Sequence, residues 1–227
     1  MNDFIKVRIF VEGQSELSFI TNVVRPHLLT KNIFADPILV SKKGEKGGDV
    51  KFTRLQNDIY RALCDKSVHL VSTFVDYYGL KEWPGKDELP KNATPAQIEE
   101  KLSSMAVDKI CLEYDRLNPK NRFLPYVVVH EFEALLFSDA QILATELGVD
   151  NSNIEDALKQ SSGGPESINN SPETAPSKRL MKWNPRYHKV TMGTSIAKKI
   201  GLETIRFQCP LFDQWLTSIE NYSIHNS

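Results

Sequence analysis

Cysteine, long apolar runs and net charge are all scarce in this chain, and each scarcity removes a class of protein. Three cysteines, Cys64, Cys111 and Cys209, are widely spaced and form no CxxC pair, which fits reduced thiols better than a disulfide framework or a zinc knuckle. No apolar run approaches the roughly 20 residues that span a bilayer. The start MNDFIKVRIF has no basic region followed by a long apolar one, as a secretory signal requires. A cytoplasmic protein with no membrane association is expected. The formal charge of −1 excludes coating nucleic acid by bulk charge and leaves a locally basic groove as the electrostatic route to it. The P-loop pattern, the HExxH zinc motif and the GxSxG nucleophile elbow are missing as well.

What is present is an ordinary globular composition, 41% hydrophobic and 25% charged over 227 residues, enough for one sizeable core. FIKVRIFV alternates apolar and polar residues and predicts a strand ending at Val11, after which Gly13 permits a sharp exit. From about Ser15 the residues Leu17, Phe19, Ile20, Val23, Val24 and Leu28 recur with helical spacing, and Pro26 is expected to kink or shorten that helix. DPILV (36–40) reads as a second strand and SKKGEKGGD (41–49) as an exposed mobile loop. Residues 52–63 have helical spacing, and the β-branched run VHLVSTFV (68–75) ends at Asp76.

Thr94, Pro95 and Gln97 have the spacing of a capped helix start. FLPYVVV (123–129) is a further buried-strand candidate and runs directly into HEFEALLF, while Ser138 is expected to cap a helix that Gly148 closes. SSGGPESINNSPETAPSKR is too irregular for a packed element and reads as a long functional loop or lid. Near the C-terminus, Leu211, Phe212, Trp215, Leu216 and Ile219 form an apolar helical stripe suited to the core. Strands alternating with helices predict an α/β architecture, a mainly parallel sheet flanked by helices. Residues 1–148 would form the core, and residues 149–227 a loop-rich helical extension packed on it as part of one unit.

Parallel sheets place their sites beyond the carboxyl ends of the strands, and three predicted strand ends carry acids: Glu12, Asp76 and Glu131. Hard divalent cations such as Mg²⁺ take carboxylate oxygens together with water and substrate phosphate, so these acids are metal-ligand candidates if their strands are neighbours. An extended HEFE would put Glu131 and Glu133 on one side, whereas a helix would part them by about 200°. Glu16, in the first helical turn, would either face the same site or simply favour the helix dipole. His130 is a candidate for proton transfer, with a hydrogen-bonded structural role as its plain alternative. Further on, SKRLMKWNPRYHK holds Lys178, Arg179, Lys182, Arg186 and Lys189 with no acid, interleaved with Trp183, Tyr187 and His188. Cations that engage phosphates beside aromatic faces that stack on bases suit a nucleic-acid surface, and a solvated loop with its aromatics packed on the domain is the alternative.

VEGQSE, TFVDYYGL, PYVVVHEFEALLF, PETAPSKR and IRFQCPLFDQWL together resemble a bacterial domain-of-unknown-function family, numbered forty-two seventy-six, that is TOPRIM-like and related to the OLD-type and anti-phage defence effectors. The likeness runs from residue 6 to about residue 218. It implies a TOPRIM-like sheet and Mg²⁺ or Mn²⁺ held for phosphoryl transfer by Glu12 and Asp76. Where many TOPRIM proteins have Asp-x-Asp, this chain has Asp76, Tyr77 and Tyr78, and the resemblance implies that Glu131 or Glu133 would stand in for the lost acid. The resemblance also implies a partner ATPase of the ABC or AAA type. The combined expectation is a metal-dependent nuclease effector acting on DNA or RNA. Glu12, Glu16, Asp76, Glu131 and Glu133 would be its metal ligands, and Lys178, Arg179, Lys182 and Arg186 its phosphate contacts. The alternative is a catalytically degenerate TOPRIM-like regulatory or binding subunit of an ATPase complex. Oligomeric state is left open.

Overall fold

The computed structural model describes residues 4–40, 50–161, 164–168 and 174–222. The loop expected at 41–49 therefore lies outside the described residues, as does part of the irregular stretch after Gln160. β1 (Ile5–Val11) passes through Gly13 into α1 (Gln14–Phe19), a π-helical turn Ile20–Val24 and α2 (Arg25–Leu29), then β2 (Ile33–Leu39). Pro26 does not shorten this helix. The turn before it widens, so that Arg25 N–H reaches the carbonyl of Ile20, and the π-turn absorbs the missing proline donor. β3 (Val50–Lys51), α3 (Phe52–Cys64), β4 (Leu70–Asp76) and β5 (Leu80–Lys81) follow. Then come α4 (Pro95–Tyr114), α5 (Pro119–Arg122), β6 (Phe123–Leu124) and β7 (Val127–Val128). The chain closes with α6 (Ala140–Leu147), α7 (Asn151–Gln160), α8 (Pro176–Trp183), α9 (Thr194–Ile200), α10 (Leu202–Gln208) and α11 (Pro210–Glu220).

The main sheet runs β2-β1-β4-β6, with β7 continuing the pairing along β4, and every pair is parallel. β3 and β5 form a separate parallel pair. The architecture is thus α/β with a mainly parallel sheet flanked by helices. β2 begins three residues earlier than DPILV suggests and carries Pro37 inside it, which its position at the sheet edge tolerates because one side of the strand needs no ladder donor. FLPYVVV is two short strands rather than one. Pro125 lacks an N–H, and hydroxyls of β4 supply bonds on either side of it. Ser72 Oγ donates to the carbonyl of Leu124 at 2.5 Å, while Thr73 Oγ1 accepts from Tyr126 N at 2.9 Å and donates to Tyr126 O at 3.0 Å. These bonds hold the segment on course toward Glu131.

The helix start at Thr94 has both bonds of the capping box, and Gly148, with φ of 69°, closes α6. Ser138 is not the cap of α6. It donates to the carbonyl of Leu135 at 2.8 Å and so ends the 3-10 turn Phe132–Ser138, while the carboxylate of Asp139 caps Ile142 N at 2.8 Å. One hydrophobic cluster on the sheet includes Val7, Ile9, Phe19, Phe74 and Phe132 together with Phe212, Trp215, Leu216 and Ile219 of α11. The C-terminal stripe is core, and the extension shares that core with β1. Trp215 Nε1 donates to Ser72 Oγ at 2.9 Å, fastening α11 to β4. A second cluster, with Phe10, Leu55, Val71 and Leu102, includes residues of α3 and α4.

Within the stretch read as a loop or lid, Pro165–Ser167 is a 3-10 turn whose Glu166 is buried, accepting from Leu211 N at 3.0 Å and Phe212 N at 2.9 Å. It caps α11 from a distance and is a packed element, contrary to the expectation. Among the described residues no helix is long and apolar enough to cross a membrane.

Candidate active site

Because β1, β4 and β7 are parallel neighbours, their carboxyl ends lie at one edge of the sheet. Glu12 follows Val11 at the end of β1, Asp76 is the last residue of β4, and Glu131 comes three residues after β7. Asp76 Oδ1 accepts a bond from Phe132 N at 3.1 Å. This bond ties the tip of β4 to the turn that carries Glu131 and Glu133. HEFE is neither extended nor α-helical throughout. Glu131 has extended backbone and starts the 3-10 turn in which Glu133 lies.

These acids act on one another electrostatically. Burial pushes Asp76 well above the usual carboxylate range, and the charges of Glu16, Glu12, Glu133 and Glu131 push the same way. Burial also raises Glu16, with Glu12 adding to the shift and Lys189 opposing it. Glu16 is 7% exposed, so it belongs to the cluster rather than only to the helix dipole. Glu133, 1% exposed, is pushed up to about 7 by burial and by Glu131, against the pull of Lys189. Lys189 Nζ stands 3.1 Å from Glu133 Oε1, and the same acids raise the lysine's pKa against its own burial penalty. A single lysine does not balance the acids gathered here, and burial, with the neighbouring carboxylates adding to it, raises Asp76, Glu16 and Glu133.

Two glycines permit this crowding. A Cβ on Gly79 would overlap both carboxylate oxygens of Glu12, and one on Gly13 would come within 2.9 Å of Glu16 Oε2. The Tyr187 ring is also part of the site. Its hydroxyl is buried and has no hydrogen-bond partner among the described residues, and burial together with Glu133, Glu131 and Glu16 raises its pKa strongly.

Glu131 is partly engaged elsewhere. Its two oxygens accept from Ser177 N at 2.8 Å and Ser177 Oγ at 3.0 Å, capping α8, whose own N-cap residue Ala175 has no side-chain acceptor. The start of α8, within TAPSKR (174–179), is thereby docked beside HEFE. Glu131→Ala is expected to cost about 1 kcal/mol, the usual worth of a helix cap, measured by urea unfolding. Faster hydrogen exchange at Ser177 to Arg179 should accompany it.

His130 adopts φ of 82°, a left-handed conformation uncommon outside glycine. Burial pulls its pKa down to about 4, against the pull of Glu131. It is therefore neutral at physiological pH and a weak base. Lys178, Lys182 and Arg186 are exposed and make no ion pair among the described residues, whereas Arg179 is half-buried and donates to Thr174 O at 2.9 Å. The aromatic part of the basic segment turns inward. Tyr187 is buried, and Trp183 packs on Phe137 with ring centroids 6.1 Å apart, which leaves His188 exposed. Tyr78, 43% exposed and raised to about 12 by burial and then Glu131, is the open aromatic face beside the acids.

Lys189, Tyr187, Tyr78 and Gly79 are the site features that strand-end reasoning missed. The only sequence signal for Gly79 was its place in DYYG. Among the described residues no three His, Cys, Asp or Glu side chains form a ready-made cation cage. The chemistry of the donor set nevertheless fits a hard cation: several oxygen ligands, poorly solvated and mutually repelling, which a divalent ion would neutralise.

The sequence pattern of a family described as "Domain of unknown function (DUF4276)" matches residues 11–220. No curated protein and no solved structure matches the chain.

Proposed function

This chain belongs to the DUF4276 family of domains of unknown function, and we propose that it is a divalent-cation-dependent nuclease with a TOPRIM-like sheet. The observation that carries this reading is the gathering of Glu12, Asp76, Glu16 and Glu133 at the strand ends, close enough that Glu12 and Glu16 raise Asp76 and Glu12 raises Glu16. Glu12 and Asp76 are the primary ligands for Mg²⁺ or Mn²⁺, with Glu16, Glu131 and Glu133 in support. When bound, such an ion supplies an activated water and stabilises the leaving oxygen of a phosphodiester.

The chain's own groups bind and orient. Lys178, Lys182 and Arg186 hold the phosphate backbone by charge, Arg179 contributes its guanidinium where Thr174 leaves it free, and Tyr78 offers a base a stacking face. Lys189 offsets part of the acidic charge and holds Glu133. His130, neutral and weakly basic, supports the turn rather than carrying a proton. By its family resemblance the protein works with an ABC- or AAA-type ATPase in bacterial anti-phage defence, in the cytoplasm.

A second reading is a regulatory or binding subunit of that ATPase with a degenerate site. It is favoured by Tyr77 and Tyr78 standing where another acid is usual, and by the ties of Glu131 to Ser177 and of Glu133 to Lys189. Incubation with supercoiled DNA, single-stranded DNA and RNA, in Mg²⁺ or Mn²⁺, with and without the ATPase encoded nearby, separates the two. Cleavage that EDTA, Glu12→Ala and Asp76→Ala each abolish is expected. Absence of such cleavage in every combination, with a stable ATPase complex, would establish the second reading instead.

A further inference from the structure

Tyr187 carries an oxygen that its packing does not use. Its ring belongs to the hydrophobic cluster on the sheet, where a phenylalanine would pack as well, and its buried hydroxyl has no hydrogen-bond partner among the described residues. The residue is 6% exposed, so bulk solvent does not meet the oxygen. A hydroxyl left in that state destabilises the fold, and native structures leave few such groups without an ion, a ligand or an ordered water to answer them.

The hydroxyl stands over Gly193, the last residue of the π-helical turn Lys189–Gly193. A Cβ on that glycine would lie 2.9 Å from the hydroxyl oxygen, 3.3 Å from Phe132 Cε1 and 3.9 Å from Leu136 Cδ1. Apart from the oxygen, these neighbours are apolar. The polar groups close by in the chain are engaged with others: Thr194 donates its hydroxyl to Ser18 Oγ at 2.9 Å, and Lys189 Nζ stands 3.1 Å from Glu133 Oε1. The charges that act on the Tyr187 hydroxyl are those of Glu133, Glu131 and Glu16. Phe132, whose ring shares the space over Gly193, lies between Glu131 and Glu133 in the chain and donates its N–H to Asp76 at 3.1 Å. The oxygen therefore borders the acid cluster without a hydrogen bond to any of its carboxylates.

What can lie between a phenol and carboxylates that it does not touch follows from their chemistry. An anion would be repelled by the acids. A divalent cation takes the carboxylate oxygens as ligands, and Mg²⁺ and ions like it keep several of their waters. Such a water has hydrogens to give, and a phenol has both lone pairs to accept them and a hydrogen of its own to donate. We infer that Tyr187 is a positioning residue for a hydrated divalent cation held by the acid cluster: its hydroxyl bonds a water that the ion keeps, and so fixes the ion's place among Glu16, Glu131 and Glu133. The inference rests on the cation-binding part of the proposed function and adds to it a group that supplies no ligand atom. Outer groups of this kind orient what the ion holds and tune its affinity.

Tyr187→Phe, which keeps the ring, tests it on the full chain without reference to cleavage. Thermal melts of wild type and variant are taken in EDTA and across Mg²⁺ and Mn²⁺ series, and Mn²⁺ affinity is read from the paramagnetic resonance signal of the free ion. In EDTA the variant should melt at the wild-type temperature or above it, because it lacks the unanswered hydroxyl. It should bind Mn²⁺ about tenfold more weakly and gain correspondingly less melting temperature at each ion concentration. Equal Mn²⁺ affinity and an equal gain in the two proteins would overturn the inference and leave the cation reading standing. A variant that melts well below wild type in EDTA would overturn it too, making the hydroxyl a structural group. A wild-type protein that responds to neither ion would remove the cation reading itself, and this inference with it.

Discussion

Gly79→Ala is expected to lower divalent-dependent cleavage about a hundredfold, the usual cost of displacing a reacting constellation by an ångström, while leaving the fold intact. The added methyl would overlap the Glu12 carboxylate and no other group comes as near. The obstructed atoms are the end of a flexible side chain, so Glu12 can swing aside at little cost, and unfolding free energy should stay within about 0.5 kcal/mol of wild type. Paired measurements of cleavage rate and urea midpoint check the split. A variant as active as wild type would remove Glu12 from the site, and one that loses activity and stability together would make Gly79 a structural residue instead.

Glu133→Gln should change how stability depends on pH. The folded protein holds this proton up to about 7, against an ordinary carboxyl value of 4.5, so between those values it binds a proton that the unfolded chain has released. That contribution is fully present below about pH 4.5 and is lost as pH rises through 7. A shift of this size corresponds to about 3 kcal/mol. Urea unfolding of the wild type at pH 5 and pH 8, without divalent ions, should show this loss, and Glu133→Gln, which cannot ionise, should lack it. Added Mg²⁺ should restore wild-type stability at pH 8 more than at pH 5, because the ligands must shed protons to bind it. Parallel pH profiles for the two proteins would mean that Lys189 compensates Glu133 fully.

Much of the frame could be read from pattern. The alternation of IKVRIFV, the β-branched run before Asp76 and the Thr94 box are local signals, and local hydrogen bonding realises them. Two strand-end acids, Glu12 and Asp76, were legible for the same reason. What could not be read depends on partners far away in the chain. Ser138 has the side chain of a cap, yet it is spent on Leu135 because the preceding residues wind into a 3-10 turn. The aromatics of the basic segment looked available for bases until the core claimed Tyr187 and Trp183. Lys189 reads as one more surface cation, and only the tertiary fold sets it against Glu133.

The borrowed caps of α8 and α11 have a kinetic meaning. Each helix begins without a side-chain cap of its own and takes one from a glutamate 45 or 46 residues earlier. Contacts of such separation form only after loop closure has been overcome, so both helices should consolidate late in folding. Since Glu131 completes α8 and also borders the acids, a nascent chain cannot finish the acid cluster until α8 has been translated and docked. The most charge-frustrated part of the protein is thereby assembled last, when the surrounding core is already present to contain it.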